Sequence, residues 1–252
     1  MKEKKSAADR SHSGNEEGIE ILEMDSDTFR AGKGSRIDPD SRSALNNTDI
    51  LIRAAEVRDA EKLLEIYAPY VENTAISFEL KVPDLSEFSG RIQKTLSKYP
   101  YILAEERQSG VILGYAYTGT FKGREAYDHA VETSIYVRQR GQRQGLGRKL
   151  YETLEEISRA QNIYNLCACI GCPIVPDQYL TKNSIEFHAH LGYRMVGQFH
   201  KCGYKFGKWY DMVWMEKCLC SHPEVAEPVI PFPELLQKDP MIRSMLSLSQ
   251  EQ

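Results

Sequence analysis

From about residue 50 to residue 218 the apolar positions switch between a period of two and a period near 3.6, which predicts strands alternating with helices. "ILIRAAE" predicts a first strand. Asp59 is placed to cap a helix with the stripe Ala60, Leu63, Leu64 and Tyr67, and Pro69 is expected to limit it. "DLSEFSGRIQKTL" predicts a second helix with Phe88, Ile92 and Leu96 one turn apart, and "YILAEE" and "VILGYAYTG" around "RQSG" predict an antiparallel hairpin. In "HAVETSIYV" Val131, Thr133, Ile135 and Val137 share one face, and Glu132, Ser134 and Tyr136 the other. Leu146, Leu150, Leu154 and Ile157 then repeat at helical spacing, "IYNLCACI" reads as a strand, and "TKNSIEFHAHLGY" reads as a short helix stopped by Gly192. "RMVGQF" and "WYDMVWMEK" are two closing strands.

The flanks differ. Residues 1–48 are polar and charged, and are expected to form a disordered N-terminal tail; "ILEMDSDTF" within it is at most a transient helix or docking segment. Residues 219–252 form a proline-rich C-terminal extension, in which "VIPFPELL" is expected to pack extended on the surface, with nothing beyond it compelled to fold. The organisation is one domain over residues 49–218 between two tails.

Composition adds exclusions. A net charge of −4 gives no global reason to expect a nucleic-acid or membrane partner. No apolar run approaches the roughly 20 residues that cross a bilayer, and the N-terminus lacks a secretory core, so the expectation is a cytoplasmic protein. The six cysteines read as reduced thiols. "CACIGC" has one pair at ligand spacing but no second pair, so it is read as strand packing and no metal is expected.

The chemistry concentrates in "RGQRQGLGR", residues 140–148, between a strand and a helix. Main-chain N–H groups and a helix's positive end converge at such a turn, which suits a phosphate or pyrophosphate. Arg138, Arg140, Arg143, Arg148 and Lys149 add charge, and the spacing matches neither a Walker A loop nor a dinucleotide fingerprint. The alternative is a solvated arginine-rich turn whose glycines serve only geometry.

The pattern Q-x-x-G-x-G at Gln142–Gly147, after a strand ending "SIYV", resembles the acetyl-CoA pyrophosphate loop of the GCN5-related N-acetyltransferases. "YPYILAEE", "YAYTGTFKGREAYDHAVETSIYV" and "SIEFHAHLGYRMVGQFHKCGYKFGKWYDMVWMEK" resemble, in order, the phosphinothricin acetyltransferase branch, from about Ile50 to Lys217. The resemblance implies a single α/β domain of the GNAT type, with a mixed, mostly antiparallel twisted sheet split near the cofactor and flanked by helices. It implies acetyl-CoA as co-substrate, a homodimer, and an acceptor that is a small amino acid or analogue of the phosphinothricin or methionine sulfoximine/sulfone type.

The resemblance also distributes roles. Glu132 matches the general base that takes a proton from the attacking amine, and His188 stands where the acceptor or the leaving thiolate is met. The main chain of Ile135, Tyr136 and Val137 would bind the pantetheine arm, and Gln142, Arg143, Gln144, Gly145, Leu146 and Gly147 the pyrophosphate. An asparagine that contacts the cofactor in related enzymes falls on Thr181, with Asn183 two residues on, and residues 173–180 look inserted. Phe78, Lys122, Arg124 and Tyr127 match acceptor-side positions, although Phe78 suits a core equally well. Trp209 and Trp214 are expected in the core. Cys172 as an acyl carrier lacks a paired base. A non-catalytic acyl-CoA-binding scaffold and a peptide N-terminal acetyltransferase are the competing functions.

Overall fold

Strand alternation is resolved by two different coverings, one on each face of a sheet. The computed structural model describes residues 50–139 and 145–246. Residues 1–49, which hold the expected N-terminal tail, and most of the cationic turn, 140–144, lie outside the described residues. Among the described residues seven strands form one sheet, β1 (Ile50–Ala54), β2 (Tyr101–Glu106), β3 (Ile112–Thr120), β4 (Ala130–Val137), β5 (Asn165–Cys172), β6 (Arg194–Lys205) and β7 (Lys208–Cys218), in the order β1-β2-β3-β4-β5-β7-β6. All neighbours are antiparallel except β4 and β5. That one parallel pair needs a crossover, which α3 (Leu146–Ala160) supplies.

One face is covered by α1 (Ala60–Asn73) and α2 (Leu85–Leu96), whose Leu63, Tyr67, Tyr70, Phe88 and Ile92 pack on Tyr101, Leu103 and Tyr115. The other is covered by α3, whose Leu146, Leu150, Leu154 and Ile157 meet Ile52, Ile102, Ala104 and Ala116. The α2 start is fixed locally, because the Asp84 side chain accepts from Glu87 N–H at 2.8 Å. Asp84→Ala is expected to lower stability by about 1 kcal/mol in denaturant unfolding, the usual worth of such a cap.

Pro69 does not limit α1, which continues to Asn73. The ring removes one backbone bond, a cost of about 3 kcal/mol in a helix interior. Burial of Tyr70 and Val71 beyond it, together with bonds from the Tyr70 hydroxyl to Val137, holds the last turn in place. Asp59 precedes α1 but does not cap it: its carboxylate accepts Glu56 N–H and the Arg53 guanidinium, at 2.8 and 2.7 Å. An arginine partner on the neighbouring strand outcompetes the helix N–H groups.

The extension also departs from expectation. Residues 232–245 form α5 (Phe232–Lys238) and α6 (Pro240–Met245), and Phe232, Leu235, Ile242 and Leu246 are buried in the core between α3 and β1. Backbone bonds Ile230 N–H to Gln161 O and Phe232 N–H to Lys98 O tie its entry to the residues just after α3 and just after α2. Trp209 is 54% exposed against Tyr204 at the β6–β7 end, and not in the core; Trp214 is half-buried against Phe121.

Candidate active site

The parallel pairing of β4 with β5 covers only Ala130–Glu132 against Asn165–Cys167, after which the strands diverge. Arg138 N–H donates to Leu113 O on the β3 side. Peptide groups alternate along a strand, so Tyr136 turns its own towards β3, whereas Ile135 and Val137 turn theirs towards the gap. Of the three main-chain positions expected to meet the pantetheine arm, the structure therefore turns two to the gap. The Tyr70 hydroxyl already occupies Val137, donating to its carbonyl at 2.6 Å and accepting from its N–H at 3.2 Å.

The gap holds a slot of about 70 Å³, walled by Thr133–Tyr136 of β4, Ala168–Gly171 of β5, Tyr151 of α3, and Ser184 and His188 of α4 (Asn183–His190). It meets a cavity of about 820 Å³ on the α1/α2 face, and Ser134, Tyr136, Cys169 and Gly171 line both. Glu132 lies in the larger cavity. Burial raises its carboxyl above the usual range, and the Lys122 ammonium, stacked over Phe121 and Trp214 at 4.8 and 5.1 Å, opposes that rise. Burial thus holds the proton affinity of Glu132 above that of an exposed glutamate.

His188 is 3% exposed. Its Nδ1 faces the Ser184 carbonyl at 2.6 Å, and a carbonyl only accepts, so Nδ1 carries the proton. Nε2 then accepts from the Tyr151 hydroxyl at 2.8 Å, with Thr133 Oγ1 3.2 Å from the same hydroxyl. Burial lowers the His188 pKa, which favours this neutral form. Both nitrogens are thus engaged within the protein, and Tyr151 stands between His188 and β4.

At the mouth of α3, Gly145 has φ +94°, a left-handed conformation that favours glycine, and among the described residues no side chain caps the helix or places an acid in its first turn. A Cβ at Gly147 would stand 3.0 Å from the Phe187 ring, so this glycine serves helix packing as well. Leu146 is buried in the core and can offer a ligand only its main chain. The charge expected here is partly spent: Lys149 Nζ donates to Ile50 O, and Arg138 to Ile112 O and Glu65. Gln142, Arg143 and Gln144 lie outside the described residues.

Of the residues expected to meet the acceptor, Phe78 lines the cavity, whereas Lys122 does not, nor do Arg124 and Tyr127, which sit in the turn before β4. Asn183 is exposed at the start of α4 and lines neither space. All six cysteines are free thiols. Burial pushes Cys169 up to about 11 and also raises Cys172, which leaves neither a ready nucleophile. Sequence reasoning missed Ser77, Glu79, Arg91 and the tyrosines Tyr67, Tyr101, Tyr115 and Tyr117 of the cavity wall. Tyr115 and Tyr117 share a face of β3 and signalled a half-buried aromatic surface, and Tyr67 was read only as part of the α1 stripe; Ser77, Glu79 and Arg91 carried no such periodic signal.

Residues 52–214 match the acetyltransferase (GNAT) domain family. The chain belongs to that family. The acetyltransferase is 33% identical over 180 residues to the phosphinothricin N-acetyltransferase of Streptomyces viridochromogenes, covering 71% of this chain and 93% of that protein. It is 33% identical to the L-methionine sulfoximine/L-methionine sulfone acetyltransferase of Pseudomonas paraeruginosa, over 66% of this chain and 92% of the relative. Among solved structures, the phosphinothricin acetyltransferase of Sinorhizobium meliloti in complex with acetyl-CoA superposes with a TM-score of 0.64 at 27% identity, covering 73% of this chain and 98% of that one. The α5–α6 extension of this acetyltransferase lies beyond the matched family region.

Proposed function

We propose that this acetyltransferase moves an acetyl group from acetyl-CoA to the α-amine of a small amino acid or analogue, of the phosphinothricin or methionine sulfoximine type, by direct attack with Glu132 as base. The reading is supported above all by the meeting of two spaces at Ser134 and Cys169, a narrow slot beside unpaired strand edge and a wide cavity holding a half-buried carboxylate. The relatives' names supply the acceptor type.

The residues fit an extended, amide-bearing arm in the slot. Ile135 offers peptide groups to it, and Val137 offers its own once the Tyr70 hydroxyl swings aside. Main-chain N–H groups from Gly145 to Gly147, with Gln142, Arg143 and Gln144, are assigned to the pyrophosphate. Acetyl-CoA supplies an acyl group activated as a thioester. Glu132 removes the proton of an amine that is almost wholly cationic at neutral pH, and the α1/α2 wall with Phe78 holds the acceptor against the slot. His188 keeps the Tyr151 hydroxyl pointed along the slot wall, where the sulfur would lie.

Release of free CoA thiol with amino acids, methionine sulfoximine, methionine sulfone and phosphinothricin tests the proposal. A chain that binds acetyl-CoA yet releases no thiol with any of these amines would overturn it. A pH profile adds a second check. Protonated Glu132 cannot act, so kcat/KM rises with pH through its raised pKa; Lys122→Met removes the opposing charge and is expected to move that acid limb to higher pH.

A further inference from the structure

The outer end of the β6–β7 hairpin lies beyond the catalytic carboxylate, yet it grips the segment that walls the acceptor cavity. Phe199 faces Met212 and Gly203 faces Tyr210, so four steps along β6 match two along β7, a bulge that re-aims the strand. Asp211, 5% exposed, fixes it: one carboxylate oxygen accepts Lys201 N–H at 2.7 Å, and the other accepts from Gln198 Nε2 at 2.6 Å and meets His200 Nδ1 at 3.1 Å. Lys201 takes a φ of +49° there, a conformation costly for a residue with a Cβ and held by these bonds.

Past the bulge two side-chain positions meet the segment after α1. Lys205 is 4% exposed, and its ammonium donates to Ser77 O at 2.6 Å. A buried ammonium is costly unless bonded, so this contact is strongly specified. The Ser77 hydroxyl in turn bonds the Tyr67 hydroxyl at 2.8 Å and accepts Glu79 N–H at 3.3 Å, and Glu79 pairs with Arg91 at 2.6 Å. The outer end of the Phe78 ring lies against Gly203, where a Cβ would stand 2.7 Å from it. Ser77, Phe78, Glu79, Tyr67 and Arg91 all line the acceptor cavity; Lys205 and Gly203 do not.

We propose that Lys205 and Gly203 are positioning residues which fix the Ser77–Glu79 wall and so set acceptor affinity without touching the acceptor. The inference rests on the reading of the larger cavity as the acceptor site. Lys205→Met leaves the Ser77 carbonyl without its partner, and Gly203→Ala displaces the Phe78 ring.

Steady-state kinetics on the full chain test it. Lys205→Met and Gly203→Ala are each expected to raise the acceptor KM about tenfold while the acetyl-CoA KM stays within about twofold, and Lys205→Arg to recover most of the loss. In a Phe78→Ala background the effect of Gly203→Ala is expected to shrink below about twofold, because its steric target is gone. An unchanged acceptor KM in both variants, a parallel rise in both KM values, or full additivity with Phe78→Ala would each overturn the proposal. If Lys205→Met no longer binds acetyl-CoA, the Gly203–Phe78 cycle alone decides. A wild-type chain that acetylates no amine sinks the acetyl-transfer reading, and the inference with it.

Discussion

Glu132→Gln is expected to lower turnover by about 10²- to 10⁴-fold, the usual worth of a positioned base, while acetyl-CoA affinity measured by calorimetry changes less than about twofold. The two readouts separate because of the sheet. Glu132 is the last residue of β4 paired to β5, and its side chain enters the cavity on the α1/α2 face, whereas the slot opens one residue later. Glutamine keeps the shape and loses the proton acceptor. A variant with wild-type turnover would show that the amine loses its proton elsewhere, and a variant that loses cofactor binding would place Glu132 in the slot itself.

Phe232→Ala is expected to cost about 3–5 kcal/mol in denaturant unfolding followed by circular dichroism, the range for emptying a large aromatic site in a packed core. Phe232 is 1% exposed and shares a cluster with Leu150, Leu154 and Ile157 of α3 and Ile52 of β1. Were the extension a surface strap, the same change would stay within about 0.5 kcal/mol. The consequence reaches the site, because α3 carries at its other end the glycines assigned to the pyrophosphate. A loss at the lower bound or beyond, without change in secondary structure at low denaturant, is the expected pattern.

The sheet was legible because its periodicities are enforced from both sides. Alternation in residues 130–137 is unambiguous since Val131 and Ile135 pack in the interior while Glu132 and Ser134 border the α1/α2 cavity. The α3 stripe was equally plain. Pro69 and the extension were misread for opposite reasons. In the first, tertiary burial of Tyr70 overrode a local breaker; in the second, Pro231 and Pro233 read as loop residues, although proline in a first helical turn is a start signal. The helices that follow are too short to show a repeat. In the site, Glu132 and Phe78 were reachable through the family likeness. Ser77, Arg91 and Tyr151 were not, because what makes them matter is which residues of other elements face them, and no local pattern records that.

Most sheets end in two outer margins where another chain can add itself, and cells treat such margins as a hazard. Here the divergence of β4 from β5 creates a third margin in the middle of the sheet, hidden between the half built from β1–β4 and the half built from β5, β7 and β6. On the proposed reading its Ile135 and Val137 amides receive a single extended arm, so the molecule would keep this edge for its ligand and withhold it from its neighbours.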